Sequence, residues 1–229
     1  ASISNPKSFI LFKSFAPDLS LYISIVTSVI LYRAKSSPKS LFLPVSGIKF
    51  FGDKVKEYII GDNVTKIGEY AFNNSYNYGD SIRSVVIGNG VKSIGERAFY
   101  GIKNLESVSI GKAVEVINDN AFGYCNKLDS IVLPNSVIEI KDYAFTDCSS
   151  LSSIIIPNSV KSIGASTFSR CTALATVTLG ESVETIGSYA FSGTAITDQS
   201  IPESVSSIGD YAFANCSALW RVTFQGAAA

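Results

Sequence analysis

The sequence predicts a solenoid of stacked, β-rich coils, on three observations. The first is a fixed period. Ala-Phe recurs at Ala71-Phe72, Ala98-Phe99, Ala121-Phe122, Ala144-Phe145, Ala190-Phe191 and Ala212-Phe213, with Thr167-Phe168 in the one gap, and the Phe-to-Phe steps are 27, 23, 23, 23, 23 and 22 residues. Units of this length cannot bury an apolar face alone and do so by stacking on their neighbours. The second is the alternation of β-branched and polar residues ahead of each corner, as in Leu151-Ser-Ser-Ile154-Ile-Ile156-Pro157. That is a short-strand pattern. The third is composition: 46 % hydrophobic and 17 % charged over 229 residues, enough for a sizeable core and opposite to the balance of a disordered chain.

Each part of the unit has its own signal. The strand stops at Pro134, Pro157 and Pro202, or at Gly88, Gly111 and Gly180, which suits a sharp corner. A second extended piece, such as Val91 to Ile94, follows and ends at Gly68, Gly95, Gly164, Gly187 or Gly209. This shared phase predicts a backbone position with positive φ. Asn118, which tolerates that conformation, and Lys141, which does not favour it, stand there in two units. The A-F-x-x-C piece has room for little more than a helical turn and a return.

The combination L-x-x-V-x-I-P/G, V-x-x-I-G and A-F-x-x-C-x-x-L resembles the BspA-like leucine-rich repeats of surface proteins, over about residues 55–224. The resemblance implies an α/β-type leucine-rich-repeat solenoid, curved and β-rich overall. It places a parallel β-sheet on one face and short strands and helical turns on the other. It also implies a non-enzymatic, extracellular or cell-surface module that binds a protein, with adhesion to host extracellular-matrix or cell-surface proteins as the expected activity.

Residues 1–54 are expected to form an N-terminal cap with a degenerate repeat, and 55–229 a solenoid of about seven repeats. Leu43-Pro44 to Asp53 resembles a corner that lacks its A-F-x-x-C turn. The uncharged run Leu19–Tyr32 is shorter than the roughly twenty residues of a membrane-spanning helix, so no integral membrane segment is expected. Its β-branched content favours strand over helix. Lys7 and Lys13 upstream leave a signal-peptide reading open, but no convincing small-residue cleavage site follows. Without an initiator Met or an evident C-terminal cap, the sequence reads as part of a longer chain.

Charge and residue inventory exclude several functions. Lys+Arg and Asp+Glu number 19 each. Eight of the cations and three of the acids lie in residues 1–60. Neither excess is large, and a nucleic-acid partner is not expected. With no His, Ser-His-Asp catalysis and His-ligated zinc are impossible. Neither a metal nor a cofactor is expected: Gly88-Asn-Gly90 lacks phosphate-loop spacing. Asp142 and Asp147 are the sort of carboxylate pair a hydrolase would need, but nothing implies a cleft around them. The N-x-S/T matches at Asn63, Asn73 and Asn215 matter only in a glycosylating host.

Cys125, Cys148, Cys171 and Cys216 share one repeat phase, at spacings of 23, 23 and 45. Neighbouring coils bring equivalent Cα atoms within disulfide range, yet parallel side chains favour a column of buried free thiols. Outward strand positions form two nearly uncharged columns, Ser84 to Arg221 and Val86 to Thr223. They read as an ordinary cross-strand ladder rather than a binding carpet, since interface hot spots draw on Trp, Tyr and Arg. Tyr70, Tyr143, Tyr189 and Tyr211 form a further column, interrupted by Arg97, Asn120 and Ser166, and are expected to pack half-buried along the outer ridge. Gln199 stands where an apolar residue normally packs, which predicts local distortion.

This leaves Tyr76 and Tyr78, in a loop inserted around 73–80, and Trp220 with Arg221 on the last strand as the candidate partner-binding residues. The alternatives are a structural spacer or self-associating array, monomeric or weakly associating in solution, and a carboxylate-dependent hydrolase.

Overall fold

In a computed structural model, residues 56–75 and 81–226 are described in full, and N-terminal to them the backbone of four strands. Those four are β1 (Phe9–Lys13), β2 (Ser20–Val26), β3 (Val29–Ala34) and β4 (Ser40–Leu41). Each later coil contributes a first strand of two to four residues and, except in the last, a second strand of two. They are β5 (Glu57–Ile60) and β6 (Lys66–Ile67), β7 (Ser84–Ile87) and β8 (Ser93–Ile94), then β9 (Ser107–Ser109) and β10 (Val116–Ile117). Next come β11 (Ser130–Ile131) and β12 (Glu139–Ile140), β13 (Ser153–Ile155) and β14 (Ser162–Ile163), then β15 (Thr176–Thr178) and β16 (Thr185–Ile186). The last are β17 (Asp198–Ile201), β18 (Ser207–Ile208) and β19 (Arg221–Phe224).

The coils stack in parallel with a register of one repeat, for example Ser153↔Thr176, Ile154↔Val177 and Ile155↔Thr178. On the first face the sheet runs β1-β2-β3-β5-β7-β9-β11 and continues as two separate pairs, β13-β15 and β17-β19. On the second face β18-β16-β14-β12-β10-β8-β6-β4 is one uninterrupted parallel sheet. The apolar run Leu19–Tyr32 falls largely on the antiparallel pair β2 and β3, and β3 pairs parallel with β5. The corner at 43–53 lies outside the described residues.

Between the faces lies a dry core of columns. Phe72, Phe99, Phe122, Phe145, Phe168, Phe191 and Phe213 stack ring on ring at 5.0–5.4 Å, with interplanar angles of 1–14°. Ile67, Ile94, Ile117, Ile140, Ile163 and Ile186 make a second buried column, and Val91, Val114, Val137, Val160 and Val183 a third. Thr167 replaces Ala beside Phe168 without cost to hydrogen bonding, because its buried hydroxyl donates to Gly164 O (2.8 Å).

All four cysteines are buried free thiols. Each donates to a Phe carbonyl of the preceding coil: Cys125 to Phe99 (3.3 Å), Cys148 to Phe122 (3.2 Å), Cys171 to Phe145 (3.1 Å) and Cys216 to Phe191 (3.1 Å). Burial pushes the thiols of Cys125, Cys148 and Cys171 far up.

The turn differs from its sequence expectation in one respect. The glycines at the end of the second strand do not have positive φ. A Cβ at Gly95, Gly164, Gly187 or Gly209 would lie 2.4–2.6 Å from the nearest atom of the preceding coil, in each case backbone, so glycine is required there by close approach. Asn118 stands in the same phase, and its side-chain amide donates to Ile94 O (2.8 Å). The left-handed residues lie two positions later, at Tyr70, Arg97, Asn120, Tyr143, Ser166, Tyr189 and Tyr211 (φ 49–59°). A second left-handed set follows four residues on, at Gly101, Tyr124, Asp147, Arg170, Gly193 and Asn215 (φ 57–74°). Two such residues per coil break any helix. The expected helical turns therefore take the form of successive three-residue-spaced turns, such as Tyr100 N to Arg97 O (3.3 Å).

The one-residue deletion before β17 coincides with the break between β15 and β17. Gln199 is buried in the same strand. Its amide donates to Ser200 O (2.7 Å), and its Oε1 has no partner among the described residues.

Candidate functional site

The sequence points first to Trp220 and Arg221. Trp220 is 71 % exposed. The guanidinium carbon of Arg221 lies 4.6 Å from the Trp220 ring centre. Register pairs Arg221 with Asp198 on β17, and their side chains form an ion pair. Arg221 is thus held over the indole with its charge answered by Asp198. The strand positions brought these three together because β17 and β19 lie one coil apart. The structure brings together two of the four candidates, Trp220 and Arg221; Tyr76 and Tyr78 lie outside the described residues.

The first sheet face carries little else. Ser107, Ser130, Ser153 and Thr176 are exposed and small, with an apolar spot at Val132 and Ile155.

The turn ridge is different. Its left-handed residues project Tyr70, Arg97, Asn120, Tyr143, Ser166, Tyr189 and Tyr211 in one row along the stack. Tyr189 and Tyr211 stack at 5.0 Å and 16°. Tyr100 and Tyr124 form a neighbouring pair at 5.1 Å. Where Asn120 and Ser166 replace the bulky residues, the row is notched. The notches merge into an open groove of about 360 Å³, lined by Tyr100, Tyr124, Tyr143, Ser166, Arg170 and Tyr189 among others. Tyr143 and Tyr189 are 45 % and 44 % exposed, near the expected half-burial, whereas Tyr211 is 65 % exposed, and the first two wall a groove as well as pack.

The groove's charges are built in. Arg97 lies 5.8 Å from the Tyr70 ring centre and 5.6 Å from that of Tyr100, and pairs distantly with Glu96 at 3.9 Å. Arg170 donates through Nε to both Asp147 oxygens (3.0 and 2.9 Å) and through Nη2 to Tyr124 Oη (3.0 Å). Partial burial beside Tyr124 holds the Tyr100 phenol above its ordinary value. Asp147 is thus committed to Arg170, while Asp142 Oδ1 accepts the Ala165 N–H (2.7 Å). Both carboxylates of the hydrolase alternative are doing structural work. Among the described residues there is no cluster of three or more His, Cys, Asp or Glu able to hold a metal. No helix among them is long and apolar enough to cross a membrane.

Sequence reasoning missed this groove because it is made by absences. Asn120 and Ser166 look like defects in a tyrosine column, and only the stacking of coils turns a defect into a notch.

Solenoid geometry, buried aromatic column and corner pattern define a class, the leucine-rich-repeat solenoids. Within it, the model of the BspA type leucine rich repeat region matches six copies over residues 46–155 and 138–228, and the chain belongs to that family. A leucine rich cell surface protein from Faecalibacterium prausnitzii is similar at 30 % identity and a TM-score of 0.68, covering 99 % of this chain and 56 % of that one. A leucine-rich repeat protein from Bacteroides ovatus is 25 % identical with a TM-score of 0.69, covering 92 % and 53 %. The chain therefore spans little more than half the length of these two. The Leucine Rich Repeat protein of T. pallidum is 25 % identical with a TM-score of 0.69, and 91 % of each chain is covered. None of the curated proteins compared matches this chain.

Proposed function

We propose that the chain is a non-enzymatic binding module, displayed at the cell surface or secreted, that engages a protein partner in adhesion or host and cell interaction. Family membership supports the scaffold role, and the F. prausnitzii relative is itself a cell surface protein. One observation carries the reading: the residue types that dominate interface energetics, Tyr, Arg and Trp, are concentrated at exposed positions on the ridge groove and at Trp220 and Arg221. Tyr and Trp add contact area at little entropic cost, and the frame beneath them is rigid. Tyr76 and Tyr78 remain candidates on sequence grounds alone.

The test is capture of extracellular-matrix and cell-surface proteins by the immobilised chain. It is repeated with three variants: Tyr143→Ala with Tyr189→Ala, Trp220→Ala with Arg221→Ala, and Tyr76→Ala with Tyr78→Ala. Loss of the captured protein with one variant assigns the surface. Capture that survives in all three overturns the assignment, and no capture by the parent chain overturns the function.

A further inference from the structure

We propose that the notch above Ser166, between Tyr143 and Tyr189, is a socket for one neutral aromatic side chain of a protein partner. The inference rests on the reading that the partner is a protein and adds what that partner must present.

Spacing is the first argument. Coils rise by about 4.8 Å each, so equivalent atoms of the coils of Tyr143 and Tyr189 stand about 10 Å apart with only Ser166 between them. A planar ring inserted midway lies about 5 Å from each wall, inside the range where aromatic pairs attract. The molecule already uses this spacing, at 5.0 Å between Tyr189 and Tyr211 and at 5.0–5.4 Å down the buried Phe column. Tyr189 is stacked on Tyr211 through one face, which turns its other face along the axis toward the Ser166 coil. Ser166 leaves out one rung between Tyr143 and the Tyr189–Tyr211 stack.

Hydrogen bonding is the second argument. Tyr143 N donates to Ala165 O (2.8 Å), Ser166 N to Ser188 O (2.8 Å) and Tyr189 N to Asp210 O (3.0 Å). These amides are spent between coils, so the ridge has none of them left for an added strand or an extended peptide backbone. The side chains of the floor do have capacity: the Ser166 and Ser169 hydroxyls make no hydrogen bond among the described residues, and Ser166 is 8 % exposed. A phenol or indole edge is the kind of group they can meet, whereas a bare peptide strand is not.

Charge is the third. Arg97 and Arg170 line the groove and no Asp or Glu does, their acids Glu96 and Asp147 lying outside the lining, which disfavours a further cation and leaves a neutral ring as the fitting rung.

The experiment titrates the full chain with N-acetyl-tryptophanamide and follows two-dimensional amide spectra, with N-acetyl-argininamide and methyl β-glucopyranoside as parallel probes. Saturable shifts are expected around Ser166, Ser169 and Thr146 with the tryptophan probe alone. Ser166→Tyr fills the notch, and it is compatible with folding because Tyr143, Tyr189 and Tyr211 hold the same left-handed conformation (φ 58–59°). It should abolish those shifts, while Trp220→Ala should leave them intact. Absence of saturable binding, binding that persists in Ser166→Tyr, or preference for the cation or the sugar would each overturn the socket. Probe binding without any captured protein would sink the adhesion reading and spare the socket. Capture that survives Ser166→Tyr would sink the socket and spare the adhesion reading.

Discussion

The buried Phe column and the exposed Tyr row are built on the same repeat, one turn position apart, and they behave in opposite ways. Inside, every coil from Phe72 to Phe213 keeps its ring, because any smaller residue leaves a void that two neighbouring coils share. Outside, the row alternates Tyr with Arg97, Asn120 and Ser166, since water fills what a ring vacates. The solenoid thus confines variation to the surface while holding its position to a fraction of a coil. Whatever distinguishes this chain from a relative with the same core lies on its exposed positions, the Tyr row and the outward strand residues such as Trp220 among them.

The largest test of the contrast is Phe145→Ala. It should cost about 3–5 kcal/mol, measured by urea unfolding, and should split the transition as the two halves uncouple. Its failure to exceed the effect of Tyr143→Ala would break the comparison.

The thiol column gives the next largest effect. In the folded state burial holds Cys125, Cys148 and Cys171 protonated far above the value near 8.5 that an unfolded cysteine has. Below pH about 8.5 both states are protonated and stability is unaffected. Above it only the unfolded state loses protons, so stability should fall by about 1.4 kcal/mol per thiol per pH unit. Denaturation midpoints at a series of alkaline pH values check this, and replacing the three cysteines with Ala should flatten the curve.

Gly164→Ala comes third, with an expected loss of about 1–3 kcal/mol, because its Cβ would meet Lys141 backbone at 2.5 Å. Calorimetry should show Ser166→Ala, two residues away on the ridge, to be close to neutral. Smallest is Tyr143→Ala itself. Half exposed and outside the core, it should change stability by less than about 1 kcal/mol, which would leave any loss of binding readable as function.

Much of the fold is legible in the sequence because each coil repeats one environment. Period, strand phase and core columns each recur five or more times, so single exceptions such as Thr167 or Lys141 do not obscure them. The left-handed turn positions are harder. One set carries Tyr, Arg, Asn and Ser, whose mixture conceals the conformation, and the glycines nearby point to the wrong residue because they serve close packing. The second set does leave a trace, since Gly101, Gly193 and Asn215 are the residue types that adopt it readily. Trp220 and Arg221 stand out as residues with no repeat duty, but their tie to Asp198 follows only from coil register. The groove is invisible until coils are stacked, because it depends on what Asn120 and Ser166 lack.

The two faces also differ as mechanical members. The second sheet is continuous across eight strands, whereas the first is broken between β11 and β13 and again between β15 and β17. A beam with one continuous flange and one segmented flange bends toward or away from the segmented side, hinging at its seams. Under a bending load the continuous sheet is the member that carries tension, and the seams are where the bend gathers. Ser166 sits on one of the two coils between those seams, where the ridge is tied from coil to coil by bonds such as Ser166 N to Ser188 O (2.8 Å), so the bend gathers on the strand face and not at the notch.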